Sequence, residues 1–223
     1  MLGVFLGALP SPDPGYACGG GLGDPMSTRF PATTMPDRDW WAALWPDPES
    51  VLRQLGIHPD MTVLDLCCGD GYFTAPLAKR VGGKVYALDL DPEMLKQAKA
   101  EVARQGASTR QWICADAREI SELLPEPVDY ALMANTFHGV PDQTGLARAV
   151  RTALRPQGLF GVVNWLPLPR EETTVLGQPR GPRTEMRMSS DAVRAVIEPS
   201  GYRMIRMISL PPYHYGAVFE AAP

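Results

Sequence analysis

From about residue 47 onward, apolar and polar positions follow two alternating rhythms. Short apolar runs of the kind that form strands buried on both faces fall at Val63–Leu66, Lys84–Leu90, Arg110–Cys114, Val128–Ala134 and Leu159–Trp165. Between them lie stretches with helical spacing: Val51, Leu52 and Leu55; Thr74, Leu77, Ala78 and Val81; Met94, Leu95, Ala98 and Val102; and Gln143 to Leu154. Asp47-Pro48-Glu49 and Asp91-Pro92-Glu93 supply helix starts, with a capping acid and a proline in the first turn. Strands and helices alternating at this spacing predict an α/β fold: a parallel sheet with helices on both faces and a ligand site at the carboxyl ends of the strands. After Trp165 the rhythm stops. Residues 166–189 read as a polar, proline-rich loop carrying Arg170, Arg180, Arg183 and Arg187, too long for a simple connector. A helix from Ser190 to Glu198 precedes two strand-like runs, Tyr202–Leu210 and Tyr213–Glu220. The short link at Pro211-Pro212 requires these to pair antiparallel and close one edge of the sheet.

Composition adds boundaries. Residues 10–36 are rich in Pro, Gly, Ser and Thr without periodicity, so residues 1–36 are expected to be a disordered or loosely draped extension, with one domain over 37–223. The apolar start, Met1 to Leu9, lacks the positive segment of a secretory signal, and no run approaches membrane-spanning length. Met26 or Met35 are further candidate starts. A net charge of −4 argues against a nucleic-acid scaffold, which relies on a basic footprint. Cys18, Cys67, Cys68 and Cys114 lack metal-ligand spacing, so no metal site is expected, and the cysteines read as reduced thiols in a cytoplasmic protein, monomer or homodimer.

The stretch Val63 to Phe73 carries the chemistry. A strand runs into a turn holding Gly69 and Gly71 and then into a helix, an arrangement able to hold a polar or charged group. A dinucleotide site would need a third glycine, but Tyr72, Phe73 and Thr74 follow instead. Four further segments accompany this turn in order: Val85 to Leu95, Cys114-Ala115-Asp116-Ala117, Asp129 to His138, and Leu154 to Phe160. With Val63–Gly71 they resemble the motifs of the class I S-adenosylmethionine-dependent methyltransferases, small-molecule branch, over residues 47–220. The resemblance implies a Rossmann-like mixed sheet of seven strands in the order 3-2-1-4-5-7-6, the last strand antiparallel. It also implies S-adenosylmethionine as cofactor, S-adenosylhomocysteine as product and a small-molecule acceptor, with no nucleic acid or membrane as partner.

Carried over position by position, Asp65 would attract the cofactor ammonium and Cys67, Gly69 and Gly71 would form its seat. Asp89 would bind the ribose, Leu90 and Met94 would sandwich the adenine, and Asp116 and Ala117 would meet its edge. Asn135 would line the methionine end. The family usually has glycine where Cys67 stands. On the acceptor side, Trp40, Trp41 and Trp45 read either as a hydrophobic dock or as an aromatic lid. Phe137, His138, Trp165, Arg170 and Tyr213 are the other candidates; His138 is either a general base or a loop hydrogen-bonder, and the arginines of residues 166–187 either solvate a loop or clamp an acidic group on the acceptor. Cys67, Cys68 and Cys114 admit a metalloid-capture reading beside the plain one of small buried residues. A non-catalytic cofactor-binding subunit is an alternative from another class. A base-methylating enzyme is disfavoured, because Asn135-Thr136-Phe137-His138 lacks the Pro-Pro of that signature.

Overall fold

A computed structural model describes residues 38–222; the extension expected over residues 1–36 lies outside the described residues. The five apolar runs become β1 (Val63–Leu66), β2 (Val85–Asp89), β3 (Gln111–Cys114), β4 (Val128–Ala134) and β5 (Leu154–Trp165), paired in parallel in the order β3-β2-β1-β4-β5. β5 starts earlier than its apolar run because Leu154 already pairs with Val128, ahead of a register shift. Within the arginine-bearing loop, β6 (Thr174–Val175) and β7 (Gln178–Pro179) form a small antiparallel ribbon where only loop was expected. β8 (Tyr202–Leu210) and β9 (His214–Ala221) are linked through a cis Pro211-Pro212 bond, and β9 lies antiparallel between β5 and β8. Leaving the ribbon aside, the sheet order is the expected 3-2-1-4-5-7-6 with its last strand antiparallel.

Strand periodicity divides the core into two layers. Val63, Val85, Ala87, Tyr130 and Leu132 face α1 (Arg38–Leu44), α2 (Pro48–Gln54), α3 (Thr74–Arg80) and α4 (Pro92–Arg104). Leu64, Leu66, Tyr86, Leu88, Ala131 and Met133 face α5 (Ile120–Leu123), α6 (Gln143–Ala153) and α7 (Ser190–Ile197). The expected caps are formed: Asp47 accepts from Ser50 N–H at 2.9 Å and Asp91 from Glu93 N–H at 2.8 Å, each followed by proline. α1 has seven residues, too few to be helical alone, and is held by tertiary contacts. Trp40, Trp41 and Leu44 are buried, and Arg38 reaches Asp70 at 3.2 Å and Glu101 at 2.7 Å. Arg38 is partly solvated, so the three apolar side chains carry most of this anchoring.

Candidate functional site

The turn after β1 is built by backbone conformation and by two carboxylates. Cys67, Gly69 and Gly71 all lie in the left-handed region, at φ 57°, 55° and 83°. Gly71 is also a packing requirement, since a Cβ there would stand 2.7 Å from the Ala98 Cα of α4. Asp89, at the end of β2, accepts from Gly69 N–H at 2.8 Å through one oxygen and from Asp91 N–H at 3.0 Å through the other. Each of its oxygens keeps a lone pair for a ligand hydroxyl. Asp65 is 2% exposed, and among the described residues its carboxylate accepts only from the Thr74 hydroxyl, at 2.7 Å. Burial pushes its carboxyl up to about 7, against the pull of Thr74, with Asp89 adding to the rise.

Beside this turn, at the carboxyl ends of β1, β4 and β5, opens a cavity of about 500 Å³. The turn contributes Asp65, Cys67, Cys68, Gly69 and Asp70, and the start of α3 contributes Tyr72 and Phe73. Ala134, Asn135, Thr136 and His138 come from the end of β4; Trp165, Arg170, Arg180, Gly181 and Pro182 come from the end of β5 and the loop after it. Trp40 and Trp41 complete it from α1. Their rings stack at 4.7 Å, Trp41 continues onto Tyr72 at 6.3 Å, and Trp40 meets Trp165 at 6.4 Å. β4 separates β1 from β5, so the acidic turn and the arginine-bearing loop follow strands about 10 Å apart, two strand spacings. The cavity is thus acidic toward β1 and basic toward β5.

Three of its residues carry a buried polar atom with no partner: Trp41 Nε1, Asn135 Oδ1 and Arg180 Nε. His138 Nδ1 lies 3.4 Å from Asn164 Oδ1. With the Asn164 amide oriented this way, Nδ1 donates the imidazole proton to its oxygen and the Nε2 lone pair is free; the reversed amide, with its Nδ2 donating, exchanges the two nitrogens' roles. Burial holds His138 below its ordinary range, opposed by Asn164 and assisted by Arg187, so the ring is neutral at pH 7. A second, small cavity of about 20 Å³ is lined by Leu90, Asp116 and Ala117 among others, and Cys67 borders both. Burial and the carboxylates of Asp89, Asp65 and Asp116 push the Cys67 thiol far up, so it is not a thiolate. Cys68 is raised in the same way, and among the described residues no group of three or more His, Cys, Asp or Glu is arranged to hold a metal ion.

Several expected site residues stand elsewhere. Phe137 is turned by a 3-10 segment into the α5–α7 layer against Phe160, fully buried and away from the cavity. Trp45 lies just past α1 and packs on Phe73 and His214 beneath the lining. Tyr213 is one layer behind Trp165, stacked at 6.3 Å, with its hydroxyl donated to Thr174 O. Met94 is half-buried on α4 and borders neither cavity. The Asp116 carboxylate is taken by Arg118, which donates at 3.0 Å and 2.6 Å and holds it below the usual carboxylate range. Conversely, Gly181, Asp70, Tyr72 and Thr136 line the cavity without having been singled out, and Arg180 joins Arg170 there as one of the loop arginines already noted. The loop residues have no periodic signal to mark them; Asp70 and Tyr72 lay inside the first motif without an assigned role.

The family model for the methyltransferase domain matches residues 63–158, which hold the acidic turn, Asp89, Asp116 and His138. A solved S-adenosylmethionine-dependent methyltransferase from Aquifex aeolicus is 27% identical, with a TM-score of 0.68 over 83% of this chain and 94% of that one. Residues 63–158 thus match a methyltransferase domain, and the chain is similar in fold and sequence to S-adenosylmethionine-dependent methyltransferases. Among curated relatives, an uncharacterized protein of Mycobacterium tuberculosis is 34% identical over 110 residues, 49% of this chain and 39% of that protein. A demethylmenaquinone methyltransferase of Geobacillus stearothermophilus is 30% identical over 116 residues, 50% of this chain and 48% of that enzyme. The matched stretch thus spans less than half the length of these curated relatives. S-adenosylmethionine, the cofactor of such enzymes, fits the residues present: a sulfonium and an ammonium suit a turn whose buried Asp65, among the described residues, accepts from the Thr74 hydroxyl and forms no ion pair. Among the described residues no helix is long and apolar enough to cross a membrane.

Proposed function

We propose that this protein transfers a methyl group from S-adenosylmethionine to a small-molecule acceptor held in the 500 Å³ cavity. The observation that carries the reading is one cavity lined both by the turn after β1 and by His138, with the indoles of Trp40, Trp41 and Trp165 in its wall. When bound, the cofactor supplies a methyl group activated by its sulfonium, which a lone pair on the acceptor takes as the carbon–sulfur bond breaks and sulfur keeps the pair. Asp65 would hold the ammonium, Asp89 the ribose hydroxyls, and Leu90 and Ala117 the adenine side, with Asn135 at the methionine end. Asp116 would join the adenine contact only by sharing its carboxylate with Arg118. The rest of the task is orientation, which is worth roughly 7–11 kcal/mol when reacting atoms are held in line. His138 Nε2, neutral and unshared, accepts the proton that a hydroxyl or amine acceptor gives up. A demethylmenaquinone methyltransferase among the relatives supports a ring-bearing acceptor, and the protein is expected to work in the cytoplasm.

The test is calorimetric titration with S-adenosylmethionine and S-adenosylhomocysteine, followed by transfer of labelled methyl to a panel of small acceptors. Binding with turnover is expected; failure of both ligands to bind overturns the reading, and binding without turnover on any acceptor favours a cofactor-binding subunit. With an acceptor in hand, kcat/KM should rise with pH through a value below the ordinary 6.5 of histidine and then level. His138→Asn should remove that limb and cost on the order of 10²–10⁴ in rate. An unchanged profile would assign His138 to loop bonding alone.

A further inference from the structure

The basic end of the cavity has no acid to balance it. Arg170 and Arg180 both line the cavity, and among the described residues neither forms an ion pair. Arg170 Nε donates to Gly181 O at 3.1 Å, while the Arg180 guanidinium stands 5.7 Å over the Trp40 ring and its Nε has no partner. Arg187, 8% exposed, lies behind them and organises the same strap. It donates to Thr173 Oγ1 at 2.8 Å, to Arg180 O at 3.1 Å and to Pro182 O at 3.2 Å, with one nitrogen left unpartnered. Three like charges therefore share one loop. Exposed Glu171 acts on Arg187 only through space, and no acidic side chain of the loop lines the cavity. Partly desolvated guanidiniums without acids bind carboxylate well, because their planar donors match its two oxygens.

The aromatic lining also discriminates. Indole faces attract cations, but here Arg38 stands over Tyr72 at 5.7 Å, Arg180 over Trp40 at 5.7 Å and Arg187 over Trp165 at 5.1 Å. A cationic acceptor would meet rings already engaged and charges of its own sign. The Trp41 Nε1–H and Arg180 Nε–H groups, both unpartnered, are donors and suit acceptor oxygens. Gly181 lies flat on Trp165, where a Cβ would come within 2.8 Å of the indole, so the strap and this ring form one rigid wall suited to a flat ligand.

Taking the methyltransferase reading as given, we propose that the acceptor is a planar aromatic carboxylate. Arg170 and Arg180 hold its carboxylate, and its ring lies against the parts of Trp40 and Trp165 that line the cavity, since Trp41, Arg180, Tyr213 and Gly181 already take the indole faces. The methylated atom is a hydroxyl or amine elsewhere on the ring, whose proton leaves through His138 to water. The carboxylate is a handle at the basic end, while the reacting atom points toward the acidic turn.

Three probes separate the parts of this assignment, each titrated into the full chain saturated with S-adenosylhomocysteine and followed by tryptophan fluorescence. They are 6-hydroxy-2-naphthoate, the matching uncharged 6-hydroxy-2-naphthamide, and cyclohexanecarboxylate. The naphthoate is expected to bind at least about tenfold tighter than either of the others, the margin shrinking as salt is raised. Arg170→Gln and Arg180→Gln should each bring naphthoate and amide to within about threefold, with S-adenosylhomocysteine affinity and melting temperature unchanged. Equal binding of the amide removes the carboxylate, equal binding of cyclohexanecarboxylate removes the ring, and a preference that survives both glutamine variants removes the arginines. If a variant is too unstable to titrate, the naphthoate–amide margin of the wild type and its salt dependence still decide. Failure of S-adenosylhomocysteine to bind the wild type would overturn the methyltransferase reading itself, whereas its binding without naphthoate overturns only the acceptor class.

Discussion

Asp65→Asn removes a charge from the core while keeping the shape and the hydrogen bond from Thr74, and its effect should depend on pH. In the folded protein burial raises the Asp65 carboxyl from 3.8 to about 7. A carboxyl whose folded value is raised contributes stability that is full below the unfolded value and is lost as pH rises toward the folded one. At about 1.4 kcal/mol per pH unit, the folded wild type loses roughly 3–4 kcal/mol between pH 4 and pH 7 from this group, and only a few tenths more by pH 8. The asparagine variant has no such loss. Urea unfolding of both proteins between pH 5 and pH 8 should therefore show the wild type losing about 3 kcal/mol relative to Asp65→Asn, with the difference levelling off by about pH 8. Two parallel stability curves would refute the reasoning, since they would mean that Asp65 is solvated or already paired in the folded chain. The same charge can be followed through the cofactor. At pH 7 Asp65 is about half protonated, so seating an ammonium beside it should release about half a proton. Calorimetry in buffers of different ionisation heat reads that release, and Asp65→Asn should lack it.

Other perturbations probe the rest of the turn. Asp89→Ala should weaken S-adenosylmethionine by at least about tenfold, and the loss of partners for Gly69 N–H and Asp91 N–H should cost about 2–4 kcal/mol in denaturant unfolding. An unchanged affinity would remove Asp89 from the ribose role. Gly71→Ala combines a φ of 83° with a Cβ 2.7 Å from Ala98 Cα and should cost roughly 2–5 kcal/mol. Gly82→Ala, at φ 61° with nothing within 4 Å, isolates the dihedral part at about 1 kcal/mol. Equal losses for the two variants would show that contact with α4 is not what demands glycine at position 71.

The acid-lined half of the molecule was legible in the chain because its signals are local. Strand runs, Asp-Pro helix starts and a glycine turn each depend on residues within a few positions, and the ladder Val63↔Val85 and Val63↔Tyr130 follows from where those runs begin. Asp89 could be assigned to the end of a strand from its neighbours alone, though not its grip on Gly69 N–H, twenty positions away. The acceptor half is assembled from α1, the end of β4 and the loop after β5, which share no sequence rhythm, so their meeting is a product of packing. Phe137 and His138 show the difference. They are adjacent and equally plausible as letters, but the 3-10 turn sends one into the α5–α7 core and the other to the cavity. Arg170, Arg180 and Arg187 likewise read equally as a solvated loop or as a clamp on an acidic acceptor group until Trp40 and Trp165 bring them against the cavity. By itself the sequence determined the fold class and the strand–turn–helix of the first motif, because short-range patterning and backbone conformation govern both, while the sheet order and the cofactor role of that turn came from the resemblance of its motifs to a known family. Only the tertiary structure decided which side chains face the cavity and where its charge lies, because burial and long-range contact set the direction of a side chain and the strength of its field.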